Sequence, residues 1–267
     1  MTWFTKQIFQ YDIKNHIKTK NDEENTMTIQ KILLSFTLFT LNTTILAADF
    51  SRGEIEQKLK NADKSHIADL RRKDFRGLDL SKLDFRHADL WGADLRDANL
   101  NDSDLSNLNL DLTVMTRIHF ARTNLSNASI FGVSMMDSDL SEANLSGSRF
   151  IANLDKANLK GANLQNINWG ADMKNQPMGL MRVSLNSVNL SGANLTGANL
   201  NRALMKRANL TNANLNGADL TMVDLTGATL ENTNFNGANL DGARFGVVKD
   251  KSVFKGAVNL DKAIFEN

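Results

Sequence analysis

Residues 193–220 read ANLTGANLNRALMKRANLTNANLNGADL. A large apolar residue falls on every fifth position: Leu195, Leu200, Met205, Leu210, Leu215 and Leu220. Two residues before each of these centres stands an alanine. The residue between is usually Asn or Asp, and the two that follow are polar, often ending in Gly, as at Gly197 and Gly217. A period of five matches neither a helix nor a simple alternating strand. It fits a short extended piece followed by a bend. The alanine and the centre then lie on one side of the extended piece, and the residue between them points outward. The last two residues turn a corner, where Gly and Asn tolerate unusual dihedrals. Repetition wraps the chain into a coil.

The series extends far beyond this stretch. From Phe75 to Phe150 all sixteen positions spaced by five are large and apolar. At 42% hydrophobic content chance gives such a run roughly once in a million tries. A second run holds Leu154, Leu159, Leu164 and Trp169, a third runs from Leu185 to Phe245, and Leu260 and Phe265 close the series at thirty-five centres. The composition agrees: of 267 residues 36 are Leu and 33 are Asn, although Asn favours neither helix nor strand. Cysteine is absent, which excludes disulfides, thiolate metal sites and a cysteine nucleophile. The formal net charge of +1 gives no charge signal for a nucleic-acid partner.

Ala193-Asn194-Leu195-Thr196-Gly197 and Ala218-Asp219-Leu220-Thr221-Met222 resemble the pentapeptide-repeat proteins, whose consensus is A(D/N)LxX. The resemblance covers about 73–267. It implies an all-β fold, a right-handed quadrilateral β-helix with one pentapeptide per side and 20 residues per coil. Thirty-five centres then make almost nine coils, on the order of 40 Å at the usual strand spacing. Outward Asn residues are expected to form ladders between coils. The family is also known for members that mimic DNA and protect gyrase or topoisomerase, dimerising near the C-terminus, and for secreted effectors.

The N-terminal part reads differently. Residues 1–26 are polar and patternless, an expected upstream or disordered extension. Lys31, the apolar run Ile32–Leu46 and Ala47-Ala48 have the layout of a secretory signal peptide over 27–48; the other reading is a buried helix of a cytoplasmic protein. Cleavage leaves Asp49 first, and 26 basic residues then balance 26 acidic ones. Over 49–72 a short capping helix is expected: Ser51 and Glu54 have capping-box spacing, and Ile55, Leu59 and Ala62 share a face. Such a cap protects the end of a repeat array.

Departures from the pattern mark candidate sites. With residues twenty apart stacked, one edge carries Trp91, Asp111, Phe131 and Ile151, with Leu112, Val114 and Met136 beside them. This apolar strip is the candidate surface for a protein partner. On the same edge eleven extra residues at about 170–180 must project as a loop holding Met173, Pro177 and Met178, with Met181 just after; Ala171-Asp172-Met173 read as an irregular extra repeat shortens it. The loop either folds over the strip or binds a partner. Phe150 to Leu154 drops one corner residue, an expected bulge. Residues 246–258 lack the pattern, and Phe254 and Phe265 are candidate contacts for a homodimer through the C-terminal end.

Nothing supports catalysis. His66, His87 and His119 do not stack, and Asp74, Asp79, Asp84, Asp89 and Asp94 are outward residues on successive sides, so neither acid–base pairs nor a metal set forms. No cofactor and no direct nucleic-acid contact are expected. Two functions follow: an exported, periplasmic or secreted, non-catalytic interaction scaffold or effector, with the membrane met only through the signal peptide, or a cytoplasmic DNA mimic. Mimicry needs dense negative charge to replace phosphates, and the charge here is balanced.

Overall fold

The computed structural model describes residues 49–171 and 181–266. The expected extension at 1–26, the expected signal peptide at 27–48, and the candidate residues Met173, Pro177 and Met178 lie outside the described residues.

The chain is a β-solenoid. Parallel bridges join residues twenty apart in four ladders offset by five residues, beginning Asp74–Asp94, Asp79–Asn99, Asp84–Asp104 and Asp69–Asp89. Most centres donate their N–H to the outward residue of the next coil, as Leu195 does to the Asn214 carbonyl at 2.7 Å. That outward residue donates its own N–H back to the small residue two before the centre, as Asn214 does to the Ala193 carbonyl at 2.9 Å. Each coil's backbone is thereby paired through its neighbours, and no repeat is satisfied alone.

Centres and alanines fill the interior. The centres from Phe75 to Leu225 are all buried, with Ala filling the space between stacked Leu and Phe. The second corner residue is left-handed in most repeats, and this position holds Asn, Asp, Lys, Arg, Glu, Ser, Leu and Met as well as Gly. The outward Asn has two tasks. Its amide donates to the coil before it, as Asn163 does to Asn144 at 3.0 Å and Asn234 to Asn214 at 2.9 Å. Its Oδ1 accepts from the backbone N–H two residues on, which starts the corner, as from Ser146 to Asn144 at 3.2 Å. The ladder was expected; the corner bond explains why Asp serves equally well.

Three coils depart from twenty, the last of them near the C-terminal end, where Asn239 bridges Val258 at nineteen. Across the missing corner residue the ladder partners are nineteen apart, as Asp139 and Asn158, and across the insertion they are thirty-one apart, as Asn158 and Asn189. The insertion therefore adds eleven residues and the register recovers. At the deletion the corner straightens: Ser129–Ser134 and Arg149–Asn153 pair as the longest strands, with a register shift between Phe131 and Val133. No left-handed residue occurs between Gly147 and Lys156.

The capping helix α1 spans Arg52–Lys60, with both halves of the Ser51–Glu54 capping box formed and Ile55 buried. It is shorter than the 49–72 expected. Ala68–Asp69 already pairs with Ala88–Asp89, and Leu70, five residues before Phe75, is the first buried centre. The opposite end also differs from expectation. Residues 246–250 leave the ladder, the 3-10 turn Lys251–Phe254 follows, and Leu260 is half-buried in a second such turn, Leu260–Lys262. Phe254 supplies the missing apolar group instead: it is 1% exposed and packs against Phe235, Phe245 and Phe265 at ring distances of 5.2, 4.7 and 5.6 Å. Burial there removes Phe254 from any dimer contact surface; Phe265 stays half-exposed.

Candidate interaction surface

The apolar strip follows one corner of the solenoid. Gly92 donates to the Asp111 carbonyl and Leu112 to the Phe131 carbonyl, and Phe131 pairs with Ile151, so Trp91, Asp111, Phe131 and Ile151 do stack. Their exposure is unequal. Ile151 is 5% exposed, because the straightened corner at the deletion turns its side chain inward; it is not part of an outer strip. Trp91 is half-buried, its ring covered by the Arg72 guanidinium at 4.8 Å. Phe131 and Met136 are half-buried, whereas Leu112 is 53% and Val114 40% exposed.

Leu112 carries the clearest information. It occupies the second corner position with φ +59°, a conformation that costs a side-chain-bearing residue about 1–2 kcal/mol. Asn or Gly relieves that strain, and Leu recovers little burial in exchange. Met222 repeats the arrangement, with φ +55° and 46% exposure. Leu110 and Leu220, which precede these two residues, belong to one column of centres that runs through Phe150 and Trp169, so both exposed side chains lie on the same corner. Met222 was legible as a large apolar residue at a polar corner position, but it stands outside the run where the strip was sought.

The carboxylates of the first coils are neutralised locally. Asp69, Asp74, Asp84 and Asp94 each pair with the arginine two residues on: Arg71 at 2.9 Å, Arg76 at 2.6 Å, and Arg86 and Arg96 at 2.5 Å. Arg117 and Arg122 reach back one coil to Asp97 and Asp102, each at 2.7 Å. The signal was present as Asp-x-Arg in four of the six repeats from Asp69 to Asp94. Among the described residues no group of His, Cys, Asp and Glu could hold a metal ion.

Hydrogen bonds from Arg71, Arg76 and Arg86 hold the carboxyls of Asp69, Asp74 and Asp84 below the usual range, that of Asp69 at about 2. A depressed folded-state pKa stabilises above the ordinary carboxylate value and is lost as pH falls through the folded one. The melting temperature is therefore expected to be insensitive to these pairs from pH 8 to 5 and to fall between about pH 4 and 2. The effect is small because the pairs are exposed; thermal melts monitored by circular dichroism across that window check it.

The profile described as pentapeptide repeats matches in eight copies, over residues 68–97, 79–117, 118–151, 184–221 and 223–246. No curated protein sequence matches significantly. Among solved structures, a trypsin-treated variant of QnrB1, a plasmid-mediated fluoroquinolone resistance protein, aligns with a TM-score of 0.54 at 20% identity, over 71% of this chain and 94% of that one. HetL, a pentapeptide repeat protein involved in heterocyst differentiation regulation in the cyanobacterium Nostoc sp. strain PCC 7120, is 26% identical, with 81% of this chain and 94% of that one aligned and a TM-score of 0.45. The profile spans more than half the sequence and coincides with the ladder of coils, and the chain belongs to the pentapeptide-repeat family.

Proposed function

We propose that this protein is a non-catalytic, exported scaffold, a right-handed solenoid of about nine coils that holds a protein partner along the corner bearing Leu112 and Val114. The observation that carries the reading is Leu112: a large apolar side chain, more than half exposed, in a left-handed corner that its own backbone disfavours. Such a residue costs stability twice, through strain and through exposure, and a binding role accounts for both. The pairing of carboxylates with arginines argues against a DNA mimic, because it neutralises carboxylates of the first coils where they stand. Similarity to QnrB1 extends to the fold.

The double variant Leu112→Asn/Val114→Asn tests the reading. Asn accepts the corner dihedral, so folding stability is expected to change by less than about 1 kcal/mol. Crosslinking in fractionated native cells is expected to join the wild-type chain, beginning near Asp49, to a partner outside the cytoplasm, and the variant to lose that product. An equal product from the variant removes the corner as the binding surface. A wild-type chain that keeps residues 27–48 in the cytoplasm removes export.

A further inference from the structure

The ladder of one face stops one coil early. Through the preceding coil it is complete: Leu210 donates to the Thr229 carbonyl, Asn212 to the Glu231 carbonyl, and Thr229 to the Ala208 carbonyl, all at 2.9 Å. The groups at the same places one coil later, the N–H of Leu230, the N–H of Asn232 and the carbonyl of Ala228, have no partner among the described residues. Ala228 and Leu230 are inward-facing repeat positions, yet both are half-exposed, whereas Ala208 and Leu210 are fully buried. They floor a cleft of about 630 Å³ whose wall mixes Val247, Val248 and Val253 with Lys249, Asp250 and Ser252, a volume in the range of ligand pockets.

The chain's own sequence explains why the cleft is open. Continued in register, residues 248, 249 and 250 would lie on 228, 229 and 230. That places Asp250 at a buried centre above Leu230, where an uncompensated carboxylate is costly. Asp250 instead stays exposed at the edge of the cleft and accepts from the Ser252 N–H at 2.8 Å, capping the 3-10 turn. The backbone leaves the ladder at Gly246, and Phe254 reaches in to seal the neighbouring face.

We infer that this cleft is a second binding site, separate from the Leu112 corner, and that it takes one extended peptide strand from another protein by parallel β-strand addition. The donors and acceptor are spaced for a parallel strand. The floor asks for a small side chain over Ala228, any residue over Thr229, and a large apolar side chain over Leu230, the element that this chain withholds at position 250. An edge with unpaired backbone groups and an apolar floor, recessed behind a wall, selects a single strand over a second solenoid.

The test uses the full chain and a fluorescent synthetic peptide with the sequence of residues 206–212, KRANLTN, which carries the small–any–large pattern. Saturable binding is expected by anisotropy. Methylating the backbone nitrogen of the first asparagine, the donor to Ala228, is expected to weaken it about tenfold, and replacing the leucine by aspartate to remove it. Amide exchange at Leu230 and Asn232 is expected to be fast in the free protein and to slow at least about tenfold with peptide. Asp250→Leu lets the chain fill its own cleft; it is expected to block the peptide and to protect Leu230 without it. Peptide binding unaffected by N-methylation or by Asp250→Leu overturns the proposal. So does protection of Leu230 in the free wild type, whether constant, which assigns the cleft to the chain's own segment, or rising with protein concentration, which assigns it to a second copy.

Discussion

Replacing Trp169 by alanine is expected to lower the unfolding free energy by about 3–5 kcal/mol and to divide unfolding into two steps. Trp169 is fully buried where both irregular coils meet. Its ring stacks on Phe150 at 4.9 Å and 11°, and its Nε1–H donates to the buried Ser148 hydroxyl at 3.3 Å. Phe150 is the last centre before the missing corner residue, and Trp169 is the last before the insertion. An alanine leaves a cavity between two coils whose connections are already irregular, and it leaves the Ser148 hydroxyl without this donor. Coupling in a solenoid passes only between neighbours, so a weak layer separates the repeats before it from those after it. Urea titration followed by circular dichroism should show two transitions where the wild type shows one. A single transition shifted by less than about 1 kcal/mol would mean that the stacked pair does not hold the two parts together. Trp169→Phe keeps the ring contact, and a smaller loss is expected from it.

Phe254→Ala is expected to cost a similar amount, about 3–5 kcal/mol, but in one place. Phe254 touches Phe235, Phe245 and Phe265, and it covers the neighbouring centres where the regular strand is missing. Its removal exposes the last aromatic layer, and the pairing of Ile264–Phe265 with Arg244–Phe245 loses its support from within. Hydrogen exchange should show Val258 and Ile264 losing protection while Leu195 and Leu215 keep theirs. Equal loss along the whole chain would contradict a nearest-neighbour account, and unchanged exchange at Ile264 would show that Phe254 is dispensable.

The solenoid was legible because its interior admits one kind of residue every five positions, and thirty-five centres leave no other period. The features that were not legible depend on where the chain stops obeying that rule. Leu70 is in phase with Phe75, but the charged run Arg71-Arg72-Lys73 between them hides the first coil next to the cap. Ile151 has the sequence position of an outward residue; only the lost corner residue, which straightens the strand, turns it inside. Phe254 is out of phase with the centres on either side of it, Phe245 and Leu260, and is buried because residues 246–250 leave the ladder. Asp250 was the readable cause, a carboxylate at the place of a centre. The strip was read by hydrophobicity alone, which cannot separate Trp91, half covered by Arg72, from Leu112, held outward by a left-handed corner. The pairing of Asp74 with Arg76 is not legible from the outward position of Asp74 alone, because it depends on the corner residue folding back over the strand.

The twenty-residue register has a genetic consequence. Unequal recombination that copies or deletes the codons for one full turn lengthens or shortens the protein without changing which residues share an edge. A copying error of a single pentapeptide is also in frame and also keeps the interior filled, yet it rotates everything downstream by a quarter turn. Leu112 and Met222 would then no longer share a corner, while stability would barely register the change. Selection on folding alone tolerates both events, and selection on an edge that spans several coils tolerates only the first.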